Sequence, residues 1–94
     1  MKKPYVPLKE LCAGIAEEAT ELAQAALKLR RVWDMTNPTP VSEEVAINKL
    51  EEEIADLFLY LEQMPFSRKH VEEIKKAKDE RWQTRLEYYR GKEE

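Results

Sequence analysis

Residues 8–33, LKELCAGIAEEATELAQAALKLRRVW, decide the fold. Apolar side chains recur at Leu8, Leu11, Cys12, Ile15, Ala19, Leu22, Ala23, Ala26, Leu29 and Trp33. That is the three- and four-residue spacing of an amphipathic helix, sustained over about seven turns. Upstream, residues 1–7 hold two of the five prolines and read as an irregular lead-in. Downstream, residues 34–42 form a proline-containing loop, because Asn37, Pro38 and Pro40 break any helix there. Ser42 is a candidate N-cap for a second helix, with Glu43 and Glu44 placed favourably against its dipole. Val45, Leu50, Ile54, Leu57, Phe58 and Leu61 carry that helix to an end near Met64-Pro65. Ser67 is placed to cap a third, running through Val71, Ile74, Trp82, Leu86 and Tyr89 to a C′ position at Gly91. Three helices with short connections predict an all-α fold, an antiparallel helical bundle.

Ninety-four residues make a single domain, 1–94, with a thin core, so oligomerisation is expected to complete the bundle. The net charge of −3 argues against non-specific nucleic-acid binding, which needs a basic footprint. A single cysteine, Cys12, excludes an internal disulfide framework, and its place on the periodic face predicts a small core residue. Met1-Lys2-Lys3-Pro4 leads into no apolar segment, and no run approaches the ~20 apolar residues of a membrane span. A cytoplasmic protein without membrane contact is expected.

The acidic residues carry the chemistry through their spacing. Only two acid–acid pairs stand three residues apart, Glu18/Glu21 and Glu53/Asp56, and only two stand four apart, Glu17/Glu21 and Glu52/Asp56. Every other acid avoids a like charge three or four residues away on its own helix, as a solvated helix should. The stripe Gly14, Glu18, Ala25 and Lys28 flanks the apolar face of the first helix, and small residues there would leave room for a ligand. Lys49, Glu53, Asp56 and Tyr60 repeat the arrangement on the second. Antiparallel packing would bring four carboxylates to one groove. Two charges ~4 Å apart repel by ~1 kcal/mol in water and ~4 kcal/mol at an effective dielectric of 20, so the cluster calls for a cation. Oxygen ligands alone, with no histidine or thiolate, suit Mg²⁺, with Mn²⁺ as a substitute. Surface acids paired to Lys and Arg are the plain alternative. A carboxylate-bridged di-iron site needs Glu-x-x-His on two helices, and His70 is the only histidine, with Ser67 three residues before it.

On the third helix Lys78, Arg81 and Arg85 share the side of Val71, Ile74, Trp82 and Tyr89. Cations on an inward side need partners, either the carboxylates or the phosphates of a ligand. Among the aromatics Trp33, Trp82, Tyr60 and Tyr89, helical spacing favours core roles, and Tyr60 is the candidate for base contact because it shares the acidic stripe. The chain has no glycine-rich phosphate loop, no CxxC and no Ser/His/Asp or Cys/His arrangement.

Glu18-Ala19-Thr20-Glu21 followed by Glu53-Ile54-Ala55-Asp56 resembles the ExxE…ExxD signature of the MazG-like all-α NTP pyrophosphohydrolases. The flanks Glu17–Ala25 and Leu50–Leu57, the segment 37–42, and the stretch Lys78–Leu86 are similar to short bacterial and phage members. The likeness spans residues 10–90. It implies Mg²⁺-dependent hydrolysis of a nucleoside triphosphate to the monophosphate and pyrophosphate, with water attacking the α-phosphorus, in a role such as cleansing the nucleotide pool. By position, Glu18, Glu21, Glu53 and Asp56 become the metal ligands and catalytic acids. Lys78, Arg81 and Arg85 become phosphate-binding or acid-holding groups. The resemblance also implies a homodimer or homotetramer. A helical dimerisation or adaptor module without catalysis is the rival expectation.

Overall fold

The computed structural model describes residues 6–38 and 40–93. Three helices form: α1 (Leu8–Asp34), α2 (Glu43–Leu61) and α3 (Arg68–Glu93), with no strand among the described residues. The fold is all-α. The chain divides into two compact units, Met1–Met64 and Pro65–Glu94, and each is described by itself. No helix is long and apolar enough among the described residues to cross a membrane.

Local chemistry sets the helix ends. The Ser42 hydroxyl accepts from the Val45 backbone N–H at 3.2 Å, and the Ser67 hydroxyl accepts from the His70 N–H at 3.1 Å, so both serines cap as their positions predict. Met35 closes α1 in the left-handed region, at φ 61°, while Thr36 N–H donates to the Arg31 carbonyl at 2.9 Å. Of the loop, Thr39 lies outside the described residues, as do residues 1–5 of the lead-in. Two boundaries differ from expectation. α2 stops at Leu61, and α3 runs past Gly91 to Glu93 instead of ending on it, Gly91 having no positive φ that a C′ glycine would use.

The first unit is a hairpin of α1 on α2. Its register runs in opposite directions along the two helices, since Gly14 meets Tyr60 while Glu18 meets Glu53 and Asp56. The helices are therefore antiparallel. Leu11, Ala25, Leu29 and Ala46 are the buried apolar side chains among the described residues, with Gly14 and Glu53 beside them. The seam of α1 is thus Leu11, Gly14, Glu18, Ala25 and Leu29. At 100° per residue this face is turned roughly a quarter of the circumference from the predicted apolar stripe, towards the acids. Cys12, Ala19, Ala23, Ala26 and Trp33, expected in the core, are exposed instead. The physical reason is a helix whose apolar arc is wider than one neighbour can cover, so α2 takes one flank and leaves the other bare.

Gly14 has a different cause from the ligand space expected of it. A Cβ built there would overlap the ring of Tyr60, whose Cζ would stand only 2.6 Å away. The chain's own tyrosine fills the space that glycine leaves. Along α3 every described side chain is exposed except the half-buried Leu86, so Trp82 and Tyr89 are not core residues either.

Gly14→Ala should lower stability by about 1–2 kcal/mol in urea melts, because ring displacement outweighs the ~1 kcal/mol gain in helix propensity. In a Tyr60→Ala background the same change should become neutral or stabilising. Equal effects in both backgrounds would show that the Gly14–Tyr60 contact does not constrain the helix pair.

Candidate metal centre

Three of the four acids singled out by spacing meet at the α1–α2 seam. One carboxylate oxygen from each of Glu18, Glu53 and Asp56 lies within 4.8 Å of the others. Glu21, one turn after Glu18, stands outside that group, and its charge bears on Glu18. Burial is graded across the cluster: Glu53 is buried, Glu18 half-buried, and Glu21 and Asp56 are exposed at the edge. The helices thus hold two acids inside the seam and two at its mouth. Glu17 and Glu52 are exposed, and Glu52 accepts from the Asn48 amide at 3.4 Å.

Electrostatics separates the two inner acids. Desolvation by its surroundings raises the Glu18 pKa above the ordinary glutamate value, and repulsion from Glu21, Asp56, Glu53 and Glu17 raises it further. Glu53 is held below its ordinary value, chiefly by a hydrogen bond from Lys49, whose Nζ stands 2.8 Å from Oε1. The same hydrogen bond raises the Lys49 pKa and keeps the ammonium charged. Two oxygens remain without partners. Glu18 Oε2 and Glu53 Oε2 are buried and accept no hydrogen bond. A buried carboxylate oxygen left bare costs more than a neutral one would, roughly 1–3 kcal/mol or above.

The donor set fits a hard divalent ion. All candidate ligands are carboxylate oxygens, with no histidine or thiolate in the group.

The other sequence-predicted residues are placed differently. Tyr60 follows Asp56 by one turn but lies over Gly14, half-buried. Lys78, Arg81 and Arg85 lie exposed on α3, in the second unit. Lys49 received no role from its spacing, although its position four residues before Glu53 was the available signal. No family model, curated protein or solved structure matches the chain, so its own residues carry the reading of the site.

The opposite shifts of Glu18 and Glu53 set a pH response in metal-free buffer. A raised folded-state pKa makes the native state bind more protons than the unfolded chain, so Glu18 adds stability as pH falls from neutrality towards the ordinary glutamate value. The depressed Glu53 works the other way, and its contribution is lost as pH drops further, through its lowered pKa. Thermal melts in EDTA should rise and then fall on acidification. Glu18→Gln should melt higher at neutral pH and lose the rising limb, whereas an unchanged profile would show that Glu18 is not under strain.

Proposed function

We propose that the α1–α2 seam is a Mg²⁺ site and that the protein hydrolyses nucleoside triphosphates to nucleoside monophosphates and pyrophosphate. The observation that carries the metal reading is the pair of buried, unpartnered oxygens, Glu18 Oε2 and Glu53 Oε2, facing one cluster. The reaction rests on the resemblance of Glu18-x-x-Glu21 and Glu53-x-x-Asp56 to the MazG-like signature. Mn²⁺ is the expected substitute ion.

Charge gives the proposal physical sense. Residues 1–64 carry seven Lys and Arg against twelve Asp and Glu, while residues 65–94 carry nine against seven. A triphosphate would be repelled by so acidic a unit unless a cation stood between them. Bound there, Mg²⁺ would neutralise charge developing on phosphoryl oxygens and lower the pKa of water. Glu18 and Glu53 would hold the ion from within the seam, Glu21 and Asp56 from its mouth. Hydrolysis breaks the anhydride bond between the α-phosphorus and the oxygen bridging to the β-phosphorus, and water supplies the hydroxyl on the monophosphate. Tyr60, on the same hairpin, is proposed to meet the base.

Assembly belongs to the same proposal. Two buried leucines contribute ~1.5–3 kcal/mol each, a small sum against an ordering cost of ~1–2 kcal/mol for every residue of the hairpin. Beside them lies an uncovered apolar stripe on α1, through Leu8, Cys12, Ala19, Ala23, Ala26 and Trp33. A second copy of the chain covering it would complete a bundle as a homodimer or homotetramer. The same stripe favours the rival reading, a helical adaptor without catalysis. The orphaned carboxylate oxygens favour the enzyme.

A nucleotide panel with Mg²⁺ should release pyrophosphate and not orthophosphate. Glu21→Gln should lower turnover at least a hundredfold with helicity intact by circular dichroism, a cost in the range of ~3 kcal/mol or more. Silence of the folded protein across the panel in both Mg²⁺ and Mn²⁺, with no rise in melting temperature, would favour the adaptor. Ala23→Glu should shift the sedimentation coefficient to that of a smaller species, and an unchanged value would place the contact between copies elsewhere.

A further inference from the structure

Among the described residues one cation reaches the carboxylate cluster, and it sits on the wrong side of its partner for helix stability. Lys49 precedes Glu53 by four residues, with Nζ 2.8 Å from Oε1 and 4.0 Å from Glu52 Oε2. An i,i+4 ion pair supports a helix best with the acid first and the lysine second. Here the order is reversed, so the pair supports the helix less than the opposite order would. The two partners also differ in freedom. The Glu53 side chain is 5% exposed and fixed in the seam, while Lys49 is 57% exposed on a flexible four-carbon stem. Lysine can swing into water, and the glutamate cannot follow.

We infer that Lys49 is a displaceable counter-ion, whose ammonium stands in for the divalent cation on Glu53 and competes with it. The inference rests on the proposed metal site and adds a positioning residue to it. Without metal, Lys49 neutralises one of the facing carboxylates and keeps Glu53 in place, leaving Glu18 Oε2 and Glu53 Oε2 bare. One positive charge cannot balance four acids, so the seam stays receptive to a doubly charged ion. When that ion arrives, the ammonium either leaves for solvent or remains as an adjacent like charge, and either outcome weakens metal affinity relative to a chain without it. The hairpin thereby folds before metal binding, and metal exchange stays easy.

Melting of the full chain in EDTA and in MgCl2, at matched ionic strength, tests this with Lys49→Met and Lys49→Arg. In EDTA, K49M should melt below wild type and K49R close to it. With Mg²⁺ the K49M deficit should close, and Mg²⁺ titrated alone by calorimetry should bind K49M roughly fivefold more tightly. A K49M deficit of equal size with and without Mg²⁺, in a wild type that Mg²⁺ does stabilise, would overturn the counter-ion role and leave an ordinary surface ion pair. A wild type unaffected by Mg²⁺ would instead overturn the metal site, and the counter-ion role with it. Should K49M fail to fold in EDTA but fold in Mg²⁺, the inference is supported in its strongest form, and K49R then supplies the affinity comparison.

Discussion

The hairpin is organised around an unfavourable contact, the meeting of Glu18 and Glu53 inside the α1–α2 seam. Like charges at an interhelical contact oppose packing, and burial strengthens the opposition by lowering the local dielectric. Neighbouring features answer that problem in different ways. Lys49 binds one oxygen of Glu53, and Asp56 and Glu21 sit where water can solvate them. What stays unanswered is a pair of buried oxygens, Glu18 Oε2 and Glu53 Oε2.

The packing around the seam makes the acidic contact unavoidable. Tyr60 lies on Gly14, and Ala25 and Ala46 are buried nearer the loop, so small residues bring the helix backbones together on both sides of Glu18 and Glu53. Packing and charge repulsion are therefore in conflict within the same few residues. The uncovered apolar arc of α1 shows the same economy. A short chain has too little core to close on itself, and its remaining apolar surface is available to a partner of matching shape.

Helix positions and caps were legible in the sequence because they depend on neighbours within a turn. The run from Leu8 to Asp34, the break at Asn37 to Pro40, and the caps Ser42 and Ser67 all appear where local chemistry puts them. The gathering of acids was legible too, since two i,i+3 pairs on adjacent antiparallel helices have few other ways to face. Less legible was the direction in which α1 turns. Its apolar residues cover a wide arc, and periodicity finds the centre of that arc while remaining blind to which flank a neighbour occupies.

The sequence alone determined that this chain is helical, where its helices begin, and that Glu18, Glu21, Glu53 and Asp56 form the exceptional pairs, because spacing along a helix is a one-dimensional property. Tertiary structure alone decided that Glu53 is buried while Asp56 is not, that Gly14 accommodates a tyrosine ring, that Cys12 and Trp33 face outward, and that Lys49 holds the inner glutamate. Those facts depend on the rotation of α1 against α2, which is set by the closest approach of two surfaces and is written in no single stretch of chain.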